Sequence, residues 1–148
     1  MAARTIWTIG YEQSSVAAVM GALQQAGVEV LADVRALPLS RRPGFSKSAL
    51  RANAQDAGLE YVHFKALGTP ADGRAAARRH DHATLARIYE QQLGLPEAIV
   101  AGAQLAELAA RRRVAVLCYE REASGCHRTL LCAAVLPDFA VTNLVPAD

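Results

Sequence analysis

Strand-like and helix-like stretches alternate along almost the whole chain, and this alternation restricts the fold more than any other feature. Thr5-Ile6-Trp7-Thr8-Ile9 reads as a first strand ended by Gly10. Ser14 or Ser15 then caps a helix with Val16, Val19, Met20 and Leu23 at i, i+3, i+4 and i+7, and Gly27 closes it as a left-handed C-cap. Val28 through Val34 is an almost continuous apolar run, as in strands covered on both faces. Ser46 opens a second helix to Ala57, and Leu59-Glu60-Tyr61-Val62-His63-Phe64 alternates as a third strand. Two helices follow, one carrying Leu85, Ile88 and Tyr89, the other starting with Pro96 in its first turn and ending near Arg111. Val114-Ala115-Val116-Leu117-Cys118 is a fourth strand, about Cys126 to Leu136 a helix, and Phe139 through Val145 a last strand. The pattern predicts a single α/β domain over residues 1–148, a mostly parallel sheet of about five strands flanked by helices.

A chain of 148 residues buries enough surface to fold without a metal or disulfide staple. With 52% hydrophobic and 20% charged residues, disorder is excluded for the bulk. No apolar run approaches the roughly 20 residues that span a bilayer, and the start lacks a signal peptide's apolar stretch. Three cysteines, an odd number, do not make a disulfide framework. The expectation is a cytoplasmic protein with no membrane partner. Charge is uneven: residues 35–82 hold nine basic and four acidic side chains, a net +5, against −3 elsewhere. Such an excess attracts anions, although 14 of the 16 basic residues are Arg and genome composition gives the same bias.

Parallel strands place their carboxyl ends on one edge, where ligands of open α/β sheets bind. The residues there are Gly10-Tyr11-Glu12, Asp33-Val34-Arg35, Lys65 to Gly68, and Tyr119-Glu120 with Cys126-His127-Arg128.

Cys126 falls at a helix N-terminus, where free N–H groups and the dipole stabilise an anion. Beside Arg128 and a protonated His127, its thiol would ionise easily and serve as a nucleophile or redox group. The same geometry binds a phosphate or carboxylate clamped by Arg128, with Cys118 alongside. The plain alternative makes Cys126 a small cap, His127 a packed residue and Arg128 a solvated one. Asp33 and Arg35 share one side of a strand end, so Asp33 is either a base or half of a structural ion pair. Glu120 is a further acid–base candidate. The long loop with Ser40, Arg41, Arg42 and Phe45 either grips phosphates and stacks on a base or is simply solvated. Gly10 permits a tight turn against a ligand, and Tyr11 offers a hydroxyl.

Familiar sites are absent. There is no Gly-x-Gly-x-x-Gly, no P-loop and no Gly-x-Ser-x-Gly elbow. Asp33-Val34-Arg35 with a cysteine closing a later strand resembles rhodanese-like and thiol phosphatase domains. Their anion-cradling loop from Cys to Arg is missing, since Ser124 and Cys132 stand where the Arg would be. Cys118, Cys126 and His127 do not follow zinc-finger spacing, and adjacent helix positions diverge by about 100°, so no metal is expected. His80 and His82 read as solvated. No cofactor is implied.

As a set, these residues resemble family 488 of the domains of unknown function. The resemblance rests on Thr8-Ile9-Gly10-Tyr11, Asp33-Val34-Arg35 with Pro38 and Ser40, and Arg42-Pro43-Gly44-Phe45-Ser46. It continues through Tyr61-Val62-His63, Leu67-Gly68, Tyr89, Leu117-Cys118-Tyr119-Glu120 and Cys126-His127-Arg128. Where the family commonly has Leu-Gly-Gly, this chain has Leu67-Gly68-Thr69-Pro70. The resemblance implies an α/β fold and a shared site built from those motifs, but no reaction.

The expected function is a pocket for a phosphate- or nucleotide-like anion. Arg35, Arg128 and helix amides would hold the anion, Gly10, Tyr11, Ser40, Arg42, Phe45 and Cys118 would line the pocket, and Asp33, Glu120, Cys126 and His127 would do the chemistry. The alternatives are a non-catalytic nucleic-acid-binding module and a thiol redox or sulfur-transfer protein using Cys126.

Overall fold

In the computed structural model, residues 4–123 and 126–147 are described; Ser124, at the place of the missing phosphatase arginine, lies outside them. The five expected strands form one sheet of order β3-β2-β4-β1-β5, every pairing parallel. They are β1 (Thr5–Gly10), β2 (Val30–Asp33), β3 (Glu60–His63), β4 (Val114–Cys118) and β5 (Ala140–Leu144). β4 is wholly buried, as its unbroken apolar sequence requires, whereas edge strand β5 is mostly exposed.

Helices α1 (Val16–Gln25) and α2 (Lys47–Asp56) pack on one face of the sheet, through Val19, Met20 and Leu23 and through Leu50 and Ala54. Ser15 is the true cap of α1, accepting from the Ala18 N–H at 3.1 Å. Gly27 follows in the left-handed region at φ 73°, which a Cβ would resist. On the other face, α4 (His82–Leu93), α5 (Pro96–Arg111) and α6 (His127–Val135) bury Tyr89, Leu105 and Leu131 against Val30, Val114 and Val116. The chain thus winds both ways from the middle of the sheet and leaves the carboxyl ends of β1, β2 and β4 open at one edge.

One element departs from the expectation. The sequence pattern assigns no helix between the third strand and the helix carrying Leu85, yet Ala71–Arg78 is a helix, α3. It buries only Gly73 and Ala76, so it has no apolar stripe to betray it. A 3-10 turn, Lys65–Leu67, precedes it, and exposed His80 sits beyond it at φ 59°. Among the described residues no single helix is long and apolar enough to cross a membrane.

Candidate functional site

Above the carboxyl edge lies a cavity of about 700 Å³, a typical size for a small-molecule site. Five arginines line it among the described residues: Arg35 after β2, Arg41 and Arg42 from the following loop, and Arg74 and Arg78 from α3. Glu120 is the one carboxylate on the lining among the described residues. Tyr11, Ser40, Thr69, Cys118 and His127 also line it, as do the exposed side chains of Leu37, Leu39 and Tyr119.

Asp33 is fully buried and its carboxylate is saturated. Arg35 donates to Oδ1 from Nε (2.8 Å) and its backbone N–H (3.2 Å), and to Oδ2 from Nη2 (2.7 Å). The Tyr61 hydroxyl donates to Oδ2 at 2.6 Å. Four bonds occupy all the lone-pair sites of a carboxylate, so Asp33 orients Arg35 and is not placed to act as a base. The Arg35 guanidinium is nearly as full: Nη1 donates to the Tyr11 hydroxyl (3.1 Å) and to the Phe45 carbonyl (2.7 Å). A single Nη2 N–H is left over among these contacts.

Phe45, expected to stack on a base, is 0% exposed and stacks on Tyr11 instead, centroids 4.3 Å apart. Its apolar ring is worth more in the core than in solvent, and the exposed aromatic ring lining the cavity is that of Tyr119, 47% exposed. Ser40 shapes the loop: its Oγ accepts from the Arg42 N–H, and its backbone exchanges bonds with the Ser46 hydroxyl. This diverts Ser46 from capping α2. Arg42 Nε donates to the Ser14 carbonyl at 3.0 Å.

Cys118 and Cys126, both buried, are joined as a disulfide. An odd number of cysteines argues against a bridge, but the third, Cys132, is simply a buried free thiol in α6, pushed up to about 11 by burial. In the bridged form Cys126 has no thiolate to offer as a nucleophile. His127 is also unlike its expectation. Burial pushes its imidazole down to about 4, with Arg128 adding to the effect, so it is neutral and not a cation that would activate Cys126. Its tautomer follows from its neighbours: the Val34 carbonyl, 2.8 Å from Nε2, can only accept, so Nε2 carries the hydrogen. The lone pair on Nδ1 then faces Cys126 Sγ at 3.7 Å.

Arg128 is 1% exposed and does not line the cavity. It lies against Gly10, where an added Cβ would come 2.7 Å from its Nη1 and 1.7 Å from the Glu120 carbonyl oxygen. Gly10 therefore serves close packing of two chain segments rather than contact with a ligand. Nη2 reaches the Arg121 carbonyl at 3.5 Å, while Nε and Nη1 have no hydrogen-bond partner among the described residues. Burial lowers the guanidinium to about 10, against the pull of Glu120. Glu120 in turn is raised by burial, with Arg128 opposing, and its Oε2 stands 3.5 Å from Cys118 Sγ.

The structure thus brings Tyr11, Arg35, Ser40, Arg42, Cys118, Glu120 and His127 to one cavity. Asp33, Phe45 and Gly10 stand behind that lining as supports, with Arg128, and Cys126 joins it only through its bridge to Cys118. Sequence reasoning missed Arg74 and Arg78 because it missed α3, and Thr69, whose buried Oγ1 is unpartnered among the described residues. The i, i+4 spacing of Arg74 and Arg78 was the available signal. No curated protein and no solved structure matches the chain. The profile of one family, described as a domain of unknown function, DUF488, matches residues 15–135. By that match, which spans most of its length, the chain belongs to the DUF488 family.

Proposed function

We propose that this cavity binds a small anionic molecule carrying a phosphate-like group, as an enzyme's substrate pocket in the cytoplasm. The observation that carries the reading is the lining itself, five arginines and one carboxylate in about 700 Å³, of which only Arg35 is held in an ion pair, by Asp33, among the described residues. Guanidinium forks suit planar or tetrahedral oxyanions, and a partly enclosed site strengthens each charge-assisted bond. The unpartnered Thr69 hydroxyl supplies a further hydrogen-bonding group. Tyr119, Leu37 and Leu39 offer an apolar wall that suits the base or ring of a nucleotide-like ligand.

The test is thermal unfolding with orthophosphate, pyrophosphate, nucleoside mono- and diphosphates and short oligonucleotides. At least one phosphate-bearing small molecule should raise the melting temperature. Arg78→Ala and Arg74→Ala should each weaken its binding about 10-fold or more, the value of one charged hydrogen bond. The reading fails if no small anion stabilises the protein or if both variants bind unchanged. Binding confined to oligonucleotides and falling steeply with salt would replace it with a nucleic-acid module.

A further inference from the structure

Two cysteines and a histidine converge beside the cavity. One ligand atom from each of Cys118, Cys126 and His127 lies within 4.8 Å of the other two, and all three side chains are buried. The objection from sequence, that neighbouring helix residues diverge, does not apply. Cys126 is the cap of α6, with extended backbone (φ −126°, ψ 150°), and only His127 is in the helix. The extended cap swings Sγ back beside the imidazole.

We infer that the reduced chain holds one zinc ion on Cys118 Sγ, Cys126 Sγ and His127 Nδ1, with the fourth coordination position open to the cavity.

Several independent features support this. His127 presents a bare Nδ1 lone pair, while its Nε2–H is fixed on the Val34 carbonyl at 2.8 Å. A zinc-binding histidine is held in this way, its other nitrogen on a backbone carbonyl that sets tautomer and ring orientation. Tetrahedral zinc with Zn–S of about 2.3 Å and Zn–N of about 2.05 Å separates sulfur from nitrogen by about 3.5 Å. The Cys126 Sγ to Nδ1 distance is 3.7 Å. Cα atoms 7.5 Å apart leave room for two thiolates to spread around an ion. Two thiolates and a neutral imidazole balance the charge of the ion, so the site needs no extra carboxylate beside Arg128. Cys118 and His127 both line the cavity, which puts the remaining position on the side where a ligand enters. Three protein ligands and one open position are the arrangement of a catalytic zinc, with a water in the fourth place.

The disulfide is the metal-free form of the same site. Two equivalents of a small thiol convert it. The first attacks one sulfur and forms a mixed disulfide, expelling the other cysteine as a thiolate that takes up a proton. The second releases the first cysteine, and the products are two cysteine thiols and one small-molecule disulfide. Zinc then displaces both thiol protons into solvent. The inference about the ion is independent of the anion reading above, because its test uses metal alone.

The experiment titrates the full chain, reduced anaerobically and freed of reductant, with zinc against a chromogenic chelator, and with cobalt while its absorption spectrum is recorded. The expected result is one zinc per chain, two protons released, and a thiolate-to-cobalt charge-transfer band. The disulfide form should bind none. Cys118→Ser, Cys126→Ser and His127→Ala should each weaken binding by more than the roughly 10–100-fold that loss of an outer-shell partner costs. Circular dichroism of each variant separates a lost ligand from a lost fold, and the cobalt spectrum of the unaltered chain decides if a variant does not fold. A reduced chain that takes up no stoichiometric zinc, or a cobalt complex without thiolate charge transfer, overturns the inference.

Discussion

At the scale of single residues, the site is built from side chains whose bonds are used up behind its surface. Asp33 holds Arg35, and Arg35 holds the Tyr11 hydroxyl and the Phe45 carbonyl, so a strand end, a loop and an aromatic pair are locked together. Breaking a buried ion pair leaves an uncompensated charge. Asp33→Ala should therefore cost about 3–5 kcal/mol in urea unfolding, and a loss below about 1 kcal/mol would show that Arg35 finds water instead. Gly10 bears a different load. An added methyl would overlap the Glu120 carbonyl oxygen, a backbone atom that cannot swing aside. Gly10→Ala should destabilise by at least about 1–3 kcal/mol, again read by urea unfolding, and an unchanged midpoint would show that the β4–α6 connection yields freely.

At the scale of elements, helix starts decide what faces the cavity. Two serines at equivalent sequence positions do different work: Ser15 caps α1, while Ser46 is drawn to Ser40 and shapes the arginine loop. Ser15→Ala should cost about 1 kcal/mol, measurable as a shift in the unfolding midpoint. No loss would mean that solvent replaces the cap fully. Helix α3 shows the opposite situation. It has little core of its own, so its strength lies in packing on α4, and what it contributes is the pair Arg74 and Arg78 on the lining of the cavity. Arg74 also ties back to the Thr69 carbonyl at 2.8 Å, and Pro70 follows as the cap that opens α3. Arg78 has no ion pair or hydrogen bond holding the fold together among the contacts described above, so replacing it should leave stability within about 0.5 kcal/mol, which makes it the cleaner probe of binding.

At the scale of the whole molecule, ligand binding and stability are linked. An anion present at 100 times its Kd adds about 2.7 kcal/mol of stability. For a chain of this size, that raises the melting temperature by roughly 5–10 °C. A shift that failed to grow with ligand concentration would point to a general salt effect instead of a site. The sequence by itself determined the succession of the five strands and of every helix but α3, the mostly parallel sense of the sheet and the edge at which polar residues collect. Those follow from apolar periodicity, capping residues and the need for crossover helices, all of which are local. Only the tertiary structure decided which of the collected residues face the cavity. Asp33 and Phe45 are buried supports, because each found partners or packing distant in sequence, whereas Arg128 is buried against Gly10 with two guanidinium nitrogens unpartnered among the described residues. Arg74 and Arg78 reach the lining on a helix whose small residues carry no periodic signal. The approach of Cys118 to Cys126 and His127 was likewise invisible, since it depends on one extended cap residue and on where a strand ends relative to the helix that follows it.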